Sequence, residues 1–125
     1  MPIATLPGMD VTEQTFDDAV LERSREVPVV VDFWAGWCGP CLMLGPVLER
    51  EETAHEGRVT LAKVDVDGNP ELSRRFRISG IPSVKAFWQG EVVYEFVGAQ
   101  APALVARFFD TLAGLVPEDA VEAVS

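Results

Sequence analysis

The chain has 125 residues, 48% apolar and 24% charged, a composition that excludes a disordered chain and, at this length, two independent cores. No apolar run reaches the roughly 18 residues that a membrane span needs. Ten basic residues against 20 acidic ones give a net charge of −10, which repels phosphate backbones and anionic lipid, so neither nucleic acid nor a membrane is expected as a partner.

Residues 1–11 suggest a loop or a short edge strand. Thr12 is a candidate N-cap, and Phe16, Ala19 and Val20 keep helical spacing to about Arg25. After Pro28, the run Val29-Val30-Val31-Asp32-Phe33-Trp34 is β-branched and almost wholly apolar, as a strand buried on both faces requires. Gly36, Gly39 and Pro40 punctuate a turn. A helix follows through Leu42, Met43, Leu44, Val47 and Leu48, with Glu49-Arg50-Glu51-Glu52 towards its solvent end. Pro46 lies inside that helix and is expected to kink it.

Residues 59–66 form a second buried strand. Asn69 caps a short helix opened by Pro70, which turns Leu72 and Phe76 to the core. Residues 84–88 and 91–97 flank a Gln89-Gly90 turn and predict a β-hairpin. Pro102 opens a last helix with Leu104, Val105, Phe108, Phe109 and Leu112 on its apolar face, and Pro117 ends it. Strand–helix alternation implies parallel strands and the hairpin adds antiparallel ones. The expected fold class is α/β, a mixed central sheet with helices on both faces. Residues 1–116 are assigned to one domain and 117–125 to a C-terminal tail or linker.

The chemistry sits in Trp34-Ala35-Gly36-Trp37-Cys38-Gly39-Pro40-Cys41, between a buried strand and a helix start. Cys38 falls at the first turn of the helix, where unpaired N–H groups and the helix dipole favour a thiolate. Cys41 lies one turn on, on the same face, so a disulfide between them closes a small ring. Cys38, at the exposed end, is the expected nucleophile, and Cys41 resolves the mixed disulfide. Tetrahedral zinc would need two more ligands, whereas the chain holds only these two cysteines and a single histidine, His55. Haem attachment would need a histidine where Leu42 stands. No metal and no cofactor is expected, and His55 is taken as a surface helix residue. Two cysteines are too few for a disulfide scaffold, and residues 1–7 show neither a basic nor an apolar leader pattern, so a reducing, cytoplasmic setting is the default.

The stretch closely resembles the thioredoxin family. The likeness extends from about Thr12 to Leu112 and includes Val30-Val31-Asp32-Phe33-Trp34, Ala62-Lys63-Val64-Asp65-Val66-Asp67, Gly80-Ile81-Pro82-Ser83 and Val97-Gly98-Ala99. It implies the thioredoxin fold, a mixed sheet flanked by about four helices. It implies that Asp32, in a buried strand, has a raised pKa and serves Cys41 as an acid/base, with Lys63 tuning both Asp32 and the thiols, although an Asp32–Lys63 ion pair of purely structural purpose is the competing expectation. Pro82 matches the family's cis-proline beside the disulfide, and Gly39-Pro40 implies a reducing poise. Ile81 would offer main-chain groups to an extended peptide, with Trp37, Gly80, Pro82 and Gly98 lining the same groove. For Gly80 and Gly98 turn geometry alone is the alternative. Trp34 is expected to pack beneath the site. Leu42 departs from the family, where Lys or Arg is common.

Two functions of different class follow. One is a protein-disulfide reductase working through the Cys38/Cys41 dithiol, with protein disulfides as substrates, a thioredoxin reductase as partner and a monomeric state. The other is the N-terminal thioredoxin domain of a redox-linked holdase chaperone, in which client binding dominates. A looser likeness of Leu42, the long apolar hairpin and the Pro117 tail to such chaperones supports it.

Overall fold

A computed structural model of the chain describes residues 8–117. Five strands form one sheet: β1 (Met9–Asp10), β2 (Val29–Trp34), β3 (Thr60–Asp65), β4 (Ser83–Trp88) and β5 (Glu91–Val97), in the order β1-β3-β2-β4-β5. β1, β3 and β2 run parallel; β4 is antiparallel to β2 and to β5. The helices are α1 (Gly39–Ala54), α2 (Pro70–Arg75) and α3 (Pro102–Ala113), preceded by a helical segment that is a π-helix over Asp17–Glu22 and a tight 3-10 turn over Arg23–Arg25. The mixed sheet with four helical segments is the thioredoxin fold that the sequence implied. The 118–125 portion of the expected tail lies outside the described residues.

β2 is the central strand, and its apolar run follows from that position. Val29, Val30, Val31 and Phe33 are completely buried. Alternation sends Val30 to the face covered by α1 and α3, with Leu44, Leu48, Leu61 and Phe109. It sends Val29, Val31 and Phe33 to the other face, with Phe16, Val20, Leu72 and Phe87. There Phe16 and Phe76 stack 5.1 Å apart, and Phe87 meets both rings edge-on. Each fully buried Phe contributes about 1.5–3 kcal/mol by transfer from water.

Several local expectations change in the folded chain. Thr12 does not cap a helix directly: its N–H bonds Thr15 Oγ1 and closes a turn, so the helical segment starts later. Asn69 precedes Pro70 as expected, but its side chain caps nothing in α2. Its amide instead accepts from the Glu13 N–H and donates to the Asp65 carbonyl, tying two loops together. α1 continues past Pro46, which lies on its exposed side, to Ala54. The glutamates of α1 are not simply solvated. Glu52 accepts from the backbone N–H groups of Gly8 and Leu61, both at 2.7 Å, and Glu49 pairs with Lys63. His55 caps the far end of α1 and reaches Asp110 on α3, so it joins two helices. The hairpin turn has Gln89 at φ 55° and Gly90 at φ 84°, the two positive angles that a two-residue turn of matching twist needs.

Candidate active site

β2 ends at Trp34, and the chain turns through Ala35, Gly36 and Trp37 before α1 begins at Gly39. Cys38 is the N-cap of α1, with extended backbone at φ −94° and ψ 105°. Its Sγ accepts the Cys41 backbone N–H at 3.2 Å, so the sulfur fills the position that a Ser or Asp oxygen takes in an ordinary cap. Pro40 stands in the first turn, where it forfeits no helical bond. Cys38 and Cys41 are joined as a disulfide with their Cα atoms 5.3 Å apart.

One expectation about this pair is corrected. Cys38 is not at an exposed end: it is only 5% exposed, against 2% for Cys41. Ala35 is buried in one cluster with both cysteines, and Trp34, Val66 and Ile81 pack against it. The Ile81–Pro82 peptide is cis, and the Pro82 carbonyl accepts the Gly98 N–H at 2.7 Å. Gly98 has φ +90°, a backbone conformation that side-chain-bearing residues rarely adopt; a Cβ there would meet nothing within 4 Å. A Cβ on Gly80 would come within 3.4 Å of Val97.

An open groove of about 380 Å³ runs beside the disulfide, lined by Trp37, Val66, Ile78, Gly80 and Ile81 together with Pro70, Ser73, Arg74 and Ser79. Trp37 is 69% exposed and its Nε1–H donates to Asp67 at 2.8 Å, which fixes the ring at the groove's rim. Trp37, Gly80 and Ile81 thus lie together along one groove. Pro82 and Gly98 are joined to each other and stand outside the lining of that groove. Gly39 and Pro40 are exposed at the start of α1.

Asp32, on β2, is 1% exposed, with neither carboxylate oxygen hydrogen-bonded. Burial raises its pKa to about 7, against the lowering effect of Lys63; Glu49 adds a smaller upward push. Lys63 faces Asp32 across the β2–β3 register, yet its ammonium is not paired with that carboxylate. It bonds Glu49 Oε2 at 3.0 Å and lies 5.4 Å over the Trp34 ring. An Asp32–Lys63 ion pair is therefore not what the fold builds.

Read from the sequence, Glu49 and Met43 were helix residues with no part in the site, and the groove residues Ser73 and Arg74 had none either. Glu49 was traceable: it continues the inward stripe of Cys41 and Gly45 at four-residue spacing. Met43 is 74% exposed and Leu42 55%, which leaves two apolar side chains open to solvent on the first turns of α1.

A family model described as thioredoxin matches residues 8–110. The chain belongs to the thioredoxin family. Over 97 residues it is 45% identical to a thioredoxin of Mycobacterium bovis, a match covering 78% of this chain and 82% of that one. It is 45% identical over 92 residues to a thioredoxin of Alicyclobacillus acidocaldarius, covering 74% and 85%. A bifunctional thioredoxin reductase/thioredoxin of Mycobacterium leprae is 43% identical over 99 residues, which span 79% of this chain but 21% of that longer protein. Family membership and the Cys38–Cys41 disulfide make this a protein-disulfide oxidoreductase site. The comparisons lend no support to the holdase alternative. No helix among the described residues is long and apolar enough to cross a membrane.

Proposed function

We propose that the protein reduces disulfides of other proteins and is itself returned to the dithiol by a thioredoxin reductase. The observation that carries this reading is the Cys38–Cys41 disulfide seated on the N-terminus of α1, at the edge of an apolar groove. In the dithiol form the Cys38 thiolate attacks a client disulfide and one client sulfur leaves as a thiolate. Cys41, once deprotonated, attacks Cys38 Sγ, restores the Cys38–Cys41 bond and releases the second client thiolate. Two electrons pass from the protein to the client. The Cys41 N–H and the helix dipole stabilise negative charge on Cys38 Sγ, which favours Cys38 as the attacking nucleophile.

Asp32 takes the Cys41 proton in that scheme. A carboxyl titrating near 7 is matched to proton transfer at neutral pH, and it has no other hydrogen-bond partner to serve. Lys63 tempers its charge. Gly39 and Pro40 keep the ring between the sulfurs tight and the poise reducing. The client strand lies extended along Ile81, with Trp37, Gly80, Pro82 and Gly98 shaping the surface around it. The working state is a monomer in a reducing compartment such as the cytoplasm, where a reductase can turn the dithiol over. Residues 1–116 act as the domain, with 117–125 as an appended tail or linker.

The test is reduction of a protein disulfide by the purified chain, with and without a thioredoxin reductase. Cys38→Ser should be inactive. Cys41→Ser should accumulate mixed disulfides with clients, visible by mass spectrometry. Turnover by Cys41→Ser at the parent rate would overturn the assignment of the two sulfurs.

A further inference from the structure

Asp32 lies at the meeting of three elements, and the charges that reach it come from two of them. From β3 comes Lys63, its register partner; from α1 comes Glu49. β4 places Val84 opposite it and contributes no charge there. Lys85 of β4 stands opposite Val31, hence on the other face of the sheet, and is tied to Glu95. The two cysteines are bonded to each other and carry no charge in this state. Among the described residues Asp32 therefore has one cation acting on it, Lys63, and the position of that cation decides how easily the carboxyl ionises.

The position is not set by Asp32. Both Asp32 oxygens are unpartnered at 1% exposure, although the carboxylate stands beside a lysine that belongs to the same sheet face. Left to electrostatics alone, that ammonium would turn to the buried carboxylate, because an opposite charge is worth more where water is excluded. Glu49 takes it instead at 3.0 Å, with both members of the pair only about a quarter exposed. The Trp34 ring, 5.4 Å away, holds the other side. Gly45, one turn before Glu49, leaves the path clear: even a Cβ there would sit 3.7 Å from Nζ.

We propose that Glu49 is a positioning residue that governs the charge state of Asp32 by holding the Lys63 ammonium away from it. Glu49 touches neither sulfur. It acts through Lys63, and its presence keeps Asp32 able to hold and release a proton near neutral pH. This rests on the reading of Asp32 given above only for its consequence in exchange; the placement itself is a matter of charge geometry.

The experiment follows the Asp32 side-chain carboxyl by ¹³C NMR against pH in the intact, oxidised chain, where no client is needed. In Glu49→Gln the lysine is released to Asp32, and the Asp32 midpoint should fall by about 1 pH unit or more. Glu49→Asp, which keeps the charge, should restore most of the parent midpoint. Lys63→Met should raise the midpoint. The decisive comparison is Glu49→Gln in the Lys63→Met background: there the downward shift should largely vanish. An unmoved midpoint in Glu49→Gln would overturn the proposal. So would an equal shift with and without Lys63, which would mean that Glu49 acts only by direct repulsion. The pH profile of disulfide reduction by Glu49→Gln is the separate arm. If the titration moves and that profile does not, the placement stands and the part given to Asp32 in exchange falls.

Discussion

Replacing Asp32 by Asn removes a buried charge while keeping the shape of the side chain, and the structure sets the size and sign of the effect. Folded, the carboxyl titrates near 7; its ordinary value is 3.8. Between those values the folded state holds a proton that the unfolded chain has released, so the stability this group allows falls as pH rises. It is fullest below about pH 4, declines through the interval, and stays low above about pH 7. At about 1.36 kcal/mol for each pH step of the interval, ionised Asp32 costs about 4 kcal/mol at pH 8. The asparagine side chain is neutral throughout, so Asp32→Asn should be more stable than the parent by about that amount at pH 8 and nearly equal to it at pH 4. Urea unfolding of the oxidised forms at the two pH values reads this directly. With a slope of ~2 kcal/mol per M, the midpoint should rise by ~2 M at pH 8. Titrating groups that do not interact with Asp32 cancel in the difference. A gain that is the same at both pH values, or absent at pH 8, would refute the argument that burial of the charge dominates.

His55 is the opposite case. Burial works against its charged form, but the Glu51 carbonyl on Nδ1 and Asp110 on Nε2 outweigh it and raise the pKa above 6.5. Its stabilisation is complete below the unfolded value and lost as pH rises through the folded one, so His55→Gln should lower the melting temperature more at pH 6 than at pH 9. Arg77 has φ 54°, just after α2, where its N–H bonds the Arg74 carbonyl. Arg77→Gly should raise stability by about 0.5–1 kcal/mol in denaturant unfolding, because glycine escapes the left-handed penalty but loses more chain entropy. Leu42→Lys should let the Cys38 thiolate form at lower pH, by a fraction of a pH unit and less so in high salt, as followed by thiolate absorbance.

Much of this protein was legible in its residues. The Val29–Trp34 run could only be a strand buried on both faces, since β-branched apolar side chains at nearly every position leave no face for water. Gln89-Gly90 between two apolar runs marked the hairpin, and two cysteines three apart at a helix start marked the chemistry. Those features depend on neighbours within a turn or a strand, which the order of residues states directly. The tertiary structure alone decided the rest. It buried Cys38, which local spacing had put at an exposed end, in a cluster against which Ile81 and Val66 pack. It gave Lys63 to Glu49, 14 residues away, rather than to Asp32, and it linked His55 to Asp110 across 55 residues and Trp37 to Asp67 across 30. Helical and strand periodicities specify which face a side chain occupies. They do not specify which charge on the facing element will be nearest, because that depends on how α1 and α3 seat against the sheet once the core between them is packed.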